Sequence, residues 1–276
     1  MGSRNKLISF GIMGCGAIGC GIAKSFKKEL KNVCRLSAIY DINPQASQDL
    51  AKKNNLDQKI IKKNISGLIK SCDIVVEAVN ASNTRQILKK IIKEKKNIIV
   101  MSVGQILNAK DLFALARRNR CKIIIPSGAI AGIDAIKAAN VSGIDKITLT
   151  TRKPITGFKD NPYIKSKKIN LATIKDETTI FKGSVDEAIK HFPQNINVAA
   201  TLALACGNKS KLTVNISTSP KFKRNSHEVE ITGKFGRIKT RTDNQISPDN
   251  PKTSYLAILS GIQAIKNYCG EILVGT

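Results

Sequence analysis

Short apolar runs alternate with amphipathic stretches through the first half of the chain. Residues 7–13 are mostly apolar, and from Ile18 to Leu30 apolar side chains recur every four positions. A spacing of four indicates a helix with one buried face, whereas a short apolar run indicates a strand covered on both faces. The alternation predicts strands at 7–13, 36–40, 73–78, 97–103 and 122–125, and helices at 18–30, 45–53, 84–93 and 111–118. This order is typical of an α/β Rossmann domain with a parallel sheet.

The pattern changes in the second half, where apolar and polar residues alternate one by one. Such alternation indicates half-buried strands. It predicts strands at 146–151, 212–216, 227–231 and 237–241, and helices at 184–191, at 198–205 and from Asn250-Pro251 onwards. Ser184 and Glu187 form a capping box at the first of these helices, and residues 155–180 are expected to form a loop with room for one strand. The sequence thus predicts an N-terminal Rossmann dinucleotide-binding domain at 1–130 and a C-terminal α+β domain at 131–250.

The chain carries a large excess of positive charge. Lys and Arg number 46 against 20 Asp and Glu, which gives a formal net charge of +26 over 276 residues. Such a field attracts nucleic acid, anionic membranes and anionic metabolites. The lysines are spread along the whole chain, however, and aromatic residues make up only 4%. A lysine-rich surface is the favoured interpretation, and nucleic acid is not expected to be the partner.

Cysteine usage and the absence of targeting patterns point to a cytoplasmic protein. The seven cysteines are widely spaced and include no Cys-x-x-Cys pair, which favours reduced thiols over a disulfide framework or a zinc site. No His, Cys, Asp or Glu cluster has metal-ligand spacing, so no metal is expected. The sequence opens without a signal-peptide pattern, and no run approaches the roughly 20 apolar residues of a membrane span.

A glycine-rich loop follows the first predicted strand. The segment Gly14-Cys15-Gly16-Ala17-Ile18-Gly19 matches G-x-G-x-x-G and opens the first predicted helix, which is the context that this motif requires. Gly14 permits a tight turn, Gly16 lets the backbone approach a pyrophosphate, and Gly19 lets the helix pack closely on the sheet. The N–H groups at the helix N-terminus then bind phosphate oxygens. A glycine turn without a ligand is the alternative, but strand, glycines and helix agree on a dinucleotide site.

Asp41 ends the second predicted strand, 22 residues after Gly19. A carboxylate at this distance is expected to bind the adenosine ribose hydroxyls and to repel a 2′-phosphate. No Arg follows directly, since the next residues are Ile42-Asn43-Pro44. NAD is therefore the expected cofactor, with NADP as the alternative.

The chain has only two histidines, which narrows the search for a general acid or base. His191 ends a predicted helix, where capping is a sufficient role. His227 shares a strand face with Val229 and Ile231 and is therefore expected to point inward, either as a core residue or as a catalytic one. Asn195 and Asn197 precede an Ala-rich helix, either as N-caps or as amides near a nicotinamide or substrate.

Several segments together resemble the L-aspartate dehydrogenase family, and the resemblance covers nearly the whole chain. Apart from the glycine loop, the later segments are specific to this family. They are 102–104 (SVG), 126–132 (PSGAIAG), 149–154 (LTTRKP), 192–201 (FPQNINVAAT), 225–229 (NSHEV), 233–237 (GKFGR) and 250–255 (NPKTSY). The chain departs from the family at Gln105, where a small residue is more usual after the glycine.

The resemblance implies an enzyme that oxidises L-aspartate with NAD or NADP to iminoaspartate, which yields oxaloacetate and ammonia or feeds NAD biosynthesis. It implies that His227 is the active-site residue and that Ala131 and Asn197 contact the nicotinamide cofactor. It also implies a homodimer, a C-terminal domain that serves substrate binding and dimerisation, and a C-terminal segment 251–276 that packs back onto the nucleotide domain.

The two carboxylates of aspartate require cations or N–H donors. The positions of Arg152, Lys153 and Lys252 in these segments make them candidates, and solvated surface charge is the alternative. Two other functions stay open. One is a dihydrodipicolinate reductase-like or homoserine dehydrogenase-like enzyme, and the other is a non-catalytic protein that binds NAD and responds to it.

Overall fold

Residues 7–79, 83–192, 196–247 and 250–275 are described by the computed structural model, without the side chains of 250–252. The chain divides into two compact units, one comprising 1–126 and 257–273 and the other comprising 127–256 and 274–276. The sequence places these boundaries a few residues away, at 130 and 250. None of the described helices combines the length and apolarity that crossing a bilayer requires.

The first unit is built on a parallel five-stranded sheet with the order β2-β1-β3-β4-β5. Its strands are β1 (Ser9–Met13), β2 (Arg35–Tyr40), β3 (Ile74–Glu77), β4 (Asn97–Val100) and β5 (Ile123–Ile124), and its helices are α1 (Ala17–Ser25), α2 (Pro44–Lys53), α3 (Ile65–Lys70), α4 (Thr84–Lys93), α5 (Lys110–Asn119) and most of α10 (Tyr255–Cys269). The strand order reverses direction between β1 and β3. In open parallel sheets, ligands bind beyond the carboxyl ends of the strands at such a point.

The C-terminal helix α10 belongs to the core of this first unit. Its Ile258, Ile262 and Ile265 join the buried cluster that includes Phe10 and Ile22. A side chain at Gly21 of α1 would come within 2.8 Å of Ile258, so that the glycine permits a close approach of the two helices. Burial of apolar side chains contributes about 25 cal/mol per Å², which makes this contact a substantial part of the unit's stability.

The second unit is built on a mixed five-stranded sheet with the order β10-β9-β6-β8-β7, in which only β6 and β8 are parallel. The strands of this sheet are β6 (Ile144–Pro154), β7 (Thr178–Ser184), β8 (Leu212–Ser219), β9 (Asn225–Gly233) and β10 (Gly236–Asn244). A separate two-stranded sheet consists of β11 (Ile246–Ser247) and β12 (Asn250–Ser254). The helices of the unit are α6 (Ile133–Ser142), α7 (Pro162–Ser166), α8 (Val185–His191) and α9 (Asn197–Cys206). The predicted capping box of Ser184 and Glu187 is present at α8. The fold class of a Rossmann domain followed by an α+β domain is confirmed.

The two faces of this second sheet differ in character. Leu149, Val214, Val229 and Ile231 are all buried and lie on one face, because side chains of a strand alternate between faces. The helices α6 and α8 pack against β9 and against β7 and β8. The opposite face carries mainly hydroxyl, amide and charged side chains, including Glu228 of β9. The apolar face therefore forms the core of the unit.

Three predictions about helices are wrong. The first helix ends at Ser25 rather than at Leu30, because residues 26–33 form hydrogen-bonded turns instead. The last helix begins at Tyr255, not at Asn250-Pro251, since 250–254 pairs with β11 as a strand. The helices α3, α6 and α7 lie where the sequence analysis expects none. In the second case, pairing with β11 satisfies the backbone N–H and C=O groups of 250–254, which the local pattern assigns to a helix.

Candidate active site

The glycine loop has the geometry that its sequence predicts. Gly14 has a φ of +96°, and a Cβ there would lie 2.5 Å from the carbonyl oxygen of Ala78. A Cβ at Gly19 would overlap the carbonyl oxygen of Gly14, whereas a Cβ at Gly16 would meet nothing within 4 Å. Gly14 and Gly19 are thus required by the backbone. Gly16 instead leaves an open space in front of the loop.

The N-terminus of α1 is prepared to bind an anion. Gly16 is the N-cap residue and supplies no side-chain hydrogen bond, and the first turn contains no acidic residue. The first N–H groups of a helix have no partner within the helix and carry a partial positive charge. The loop and the helix therefore fit the pyrophosphate of a dinucleotide, which would be held by the backbone from Gly14 to Gly19, including Ala17 and Ile18.

Asp41 lies beside the glycine loop. Its Oδ2 accepts a hydrogen bond of 2.7 Å from the backbone N–H of Cys15, and its Oδ1 accepts one of 2.9 Å from the N–H of Asn43. A cavity of about 300 Å³ adjoins it and is lined by Tyr40, Asp41, Ile42, Pro44, Ser47, Gln48, Ile61, Lys62 and Lys63. The carboxylate is held at the wall of a cavity large enough for a nucleoside.

His227 lies in the second unit between two threonines. In the sheet it pairs with Thr151 of β6 on one side and with Thr242 of β10 on the other. Its Nδ1 is 3.0 Å from Oγ1 of Thr151, and only 4% of the residue is exposed. Among the described residues no hydrogen-bond partner of Nε2 is found. The ring is therefore oriented through Nδ1, and Nε2 is left for a ligand.

Burial keeps His227 neutral. Loss of solvation, and to a lesser extent the nearby charge of Lys153, lower its pKa to about 3. The pKa near 6.5 that a histidine has in water therefore does not apply to His227. The neutral ring has one N–H and one lone pair. If Nδ1 donates to Thr151, then Nε2 is a hydrogen-bond or proton acceptor.

Lys153 lies on the same face of β6 as Thr151, two residues further along the strand. Its backbone carbonyl accepts a hydrogen bond of 2.8 Å from the hydroxyl of Thr218, the residue that pairs with it on β8. Burial lowers the pKa of its ammonium group to about 8. A cation that is poorly solvated binds a carboxylate strongly, so Lys153 is suited to bind an anionic substrate next to His227.

The segment 128–132 is fixed to β10 by three side chains that share the face of His227. The hydroxyl of Thr242 and the amide of Asn244 donate to the carbonyl oxygen of Ala129 at 2.8 and 3.1 Å. Thr240 donates to the carbonyl oxygen of Ala131 at 3.3 Å. Ala131 itself is exposed. The structure thus holds the segment that contains Ala131 against β10, the strand next to that of His227.

Arg152 points away from His227. Strand alternation puts it on the opposite face of the sheet, where its Nε donates to Glu177 at 2.7 Å and its Nη1 lies 3.6 Å from Glu228. That Nη1 atom is buried and has no hydrogen-bond partner in the part of the chain that the structure describes. The structure therefore groups His227 with Lys153 and separates both from Arg152.

The remaining predicted residues lie at less defined positions. Asn197 is exposed and is the first residue of α9, whose N-cap is Ile196. Asn195 lies outside the described residues, as does the side chain of Lys252. His191 ends α8 as predicted, and its ring lies 4.6 Å from that of Tyr163.

Sequence reasoning did not single out several residues that the structure places at these sites. Thr151, Thr242 and Asn244 carry no motif of their own, although Thr240, Thr242 and Asn244 alternate on a strand in the way that predicts a shared face. Glu77 is another such residue. The sequence contains one indication of its importance: Glu77 directly follows the apolar run 74–76. This position places a carboxyl group at the end of a buried strand.

Comparison with known proteins relates both units to the same group of enzymes. Residues 134–268 match the family described as aspartate dehydrogenase, C-terminal, and residues 14–126 match homoserine dehydrogenase, NAD binding domain. L-aspartate dehydrogenases of Methanosarcina mazei and Methanococcoides burtonii are each 38% identical to 98% of this chain and are covered over their full length. The crystal structure of aspartate dehydrogenase from Thermotoga maritima superposes with a TM-score of 0.67 at 25% identity, over 97% of this chain and 99% of that one.

Proposed function

The chain belongs to the L-aspartate dehydrogenase family, and from this premise we propose that His227, Thr151 and Lys153 form the substrate side of its active site. The protein is a nicotinamide-dependent oxidoreductase that acts on the CH–NH2 group of L-aspartate. Homoserine dehydrogenase-like and dihydrodipicolinate reductase-like activities are not favoured. The observation that carries the proposal is the 3.0 Å contact between Thr151 Oγ1 and His227 Nδ1, with the half-buried side chain of Lys153 on the same face.

Thr151 sets the tautomer of His227 in this proposal. Its hydroxyl accepts from Nδ1–H, so that Nε2 carries the lone pair and takes a proton from the substrate amine or from the water that hydrolyses the imine. The low pKa of His227 does not prevent this. Two substrate carboxylates bring negative charge to the ring, and negative charge nearby raises the pKa of a histidine.

Lys153 binds a substrate carboxylate. It carries its charge below about pH 8, and an ion pair with the substrate raises its pKa and keeps it charged during turnover. We propose that Arg152 stabilises the sheet and does not bind the substrate, because its guanidinium contacts Glu177 and Glu228. Lys252 stays a candidate for the second carboxylate.

The cofactor is proposed to bind through the loop Gly14–Gly19 and Asp41, with Ala131 and Asn197 as the nicotinamide contacts that the family resemblance implies. A bound nicotinamide supplies the hydride acceptor for oxidation of the amine carbon. The Asp41 carboxylate favours NAD, because a 2′-phosphate next to it would be repelled. Lys62 and Lys63 line the same cavity, and their positive charges offset part of this repulsion. NADP therefore binds as well, but with lower affinity than NAD.

We also propose a homodimer, as is typical of this family. Light scattering on the purified protein tests the assembly, and a monomer at micromolar concentration would contradict it.

The activity is tested by the absorbance of NADH after mixing the protein with NAD and L-aspartate at alkaline pH. Glutamate, homoserine and D-aspartate are the controls. NADH formed with L-aspartate and lost in the His227→Ala variant supports both the substrate and the site. NADH binding without any turnover in either direction, together with salt-dependent retention on DNA, would favour a binding protein instead.

A further inference from the structure

Glu77 is a buried carboxylate at the carboxyl end of β3. Its exposed fraction is 0%, and among the described residues it is the only Asp or Glu that is buried. Burial of an ionised carboxylate is costly unless partners replace the lost water. A group of this kind at the ligand-binding edge of a parallel sheet requires an explanation.

The partners of Glu77 belong to two loops at that edge. Its Oε1 accepts a hydrogen bond of 2.9 Å from the N–H of Val79, and its Oε2 accepts one of 3.2 Å from the N–H of Ser102. The hydroxyl of Ser102 bonds both to this carboxylate and to the carbonyl oxygen of Val79. Glu77 therefore ties the segment after β3 to the segment after β4.

Glu77 ends the strand next to the one that leads into the glycine loop. In the sheet it pairs with Met13, the last residue of β1, and Gly14 follows. The next residue after Glu77 is Ala78, whose carbonyl oxygen leaves no room for a Cβ on Gly14. The carboxylate thus bonds to Val79, whose side chain adjoins Gly14 in the loop that would hold the pyrophosphate.

No cation offsets the charge of Glu77 in the elements packed against it. The strands β1 and β4 and the segments 78–79 and 101–103 contain no charged residue. In the glycine loop Cys15 is titratable, but burial raises its pKa to about 11 and keeps it neutral. Asp41, which accepts the hydrogen bond from Cys15, adds a second negative charge. Burial accordingly raises the pKa of Glu77 to about 7.

Both protonation states of Glu77 have hydrogen-bond partners. The ionised form accepts from the N–H groups of Val79 and Ser102 and competes with the Val79 carbonyl oxygen for the single proton of the Ser102 hydroxyl. The neutral form can donate its proton to the Ser102 hydroxyl, which in turn donates to the Val79 carbonyl. The two loops are therefore held in either state, and what changes is the charge of Glu77.

We propose that Glu77 is a positioning residue of the cofactor site which is protonated when the pyrophosphate of the cofactor binds, so that each cofactor takes up one proton. The negative pyrophosphate and the ionised carboxylate repel each other across the loop, whereas the neutral carboxyl group does not. Cofactor affinity consequently falls as the pH rises above neutrality. This inference rests on the proposed location of the pyrophosphate at Gly14–Gly19.

The test is a fluorescence titration of the protein with NADH from pH 6 to pH 9, together with calorimetry in buffers of different ionisation enthalpy. The wild type is expected to take up nearly one proton at pH 8, and its Kd is expected to rise by up to about tenfold per pH unit above 7. Glu77→Gln imitates the neutral form and is expected to bind NADH tightly at pH 8.5 with no proton uptake. Glu94→Gln, which removes an exposed carboxylate of the same unit, should behave like the wild type.

The outcomes separate the two proposals. NADH binding with no proton uptake by the wild type overturns the role of Glu77 and leaves the cofactor site in place, and this measurement does not depend on whether the variant folds. The same proton uptake in Glu77→Gln as in the wild type also overturns it. If the folded wild type binds no NADH at any pH, the proposed cofactor site fails, and this inference fails with it.

Discussion

The hydroxyl of Thr242 donates a hydrogen bond of 2.8 Å to the carbonyl oxygen of Ala129. Thr242 also pairs with His227 across the sheet. Together with the bonds from Thr240 and Asn244, this bond connects β10, the neighbour of the histidine's strand, to the segment that contains Ala131. The geometry of the site therefore depends on side chains of β10.

Replacing Thr242 by Val should reduce kcat by roughly fivefold, since one hydrogen bond contributes about 1 kcal/mol. The isosteric side chain keeps the packing, and a stability loss beyond about 2 kcal/mol in urea unfolding would point to a structural role instead. Thr240→Val is the matched control, because its bond to Ala131 is longer at 3.3 Å. If Thr240→Val lowers kcat as much as Thr242→Val does, the bond from Thr242 matters no more to the site than the bond from Thr240.

Replacing His227 by Ala should lower turnover by about 10²- to 10⁴-fold, which is the usual contribution of a general acid or base, while the affinity for NADH stays unchanged. Thr151→Val should cause a smaller loss, because the ring remains but its tautomer is no longer set. Steady-state kinetics and fluorescence titration measure the two quantities. Turnover that survives in His227→Ala would remove this histidine from the mechanism.

Replacing Lys153 by Met should raise the KM for L-aspartate by roughly 10- to 100-fold, the range expected for a lost hydrogen bond to a charged group. In the wild type the KM should increase above about pH 8, because the pKa of Lys153 is lowered to about 8 and its charge is lost as the pH rises through that value. The variant should lack this increase. Arg152→Met, on the opposite face, is the control and should leave the KM nearly unchanged.

Replacing Asp41 by Ser should shift the preference of kcat/KM from NAD toward NADP by at least about tenfold, which corresponds to 1.4 kcal/mol of relieved repulsion. The neutral side chain still reaches the ribose. A further change of Lys63 to Ala in this background should reverse part of the gain. An unchanged ratio of the two cofactors would show that Asp41 does not face the ribose.

The stability of the protein should depend on the protonation of Glu77. Its pKa in the folded state, about 7, lies above the ordinary value of 4.5, so the folded state favours the protonated form. This contribution is fully present below pH 4.5 and is lost as the pH rises through 7. The free energy of unfolding of the wild type relative to Glu77→Gln should therefore fall by up to about 3 kcal/mol over this range. Urea unfolding at pH 5 and at pH 8 measures the difference, and a constant difference would contradict it.

The glycine loop, the position of Asp41 and the order of strands in the first unit could be predicted from the sequence, whereas helix α3 could not. Each depends on residues close together in the chain, such as the turn at Gly14 and the apolar run of β3. The boundaries of the first and last helices could not be predicted. At residues 250–254 the backbone pairs with β11, and a local pattern contains no information about such a partner.

The amino-acid sequence by itself determined the fold class, the dinucleotide loop and the inward orientation of His227, since periodicity and turn chemistry act within a few residues. Only the tertiary structure decided that Thr151 lies beside His227, 76 positions away, and that Lys153 shares its face while Arg152 does not. It also decided that His227 is neutral and that Glu77 is fully buried. Strand register and burial arise from contacts between distant segments, and they set both which side chains meet and how strongly each one is charged.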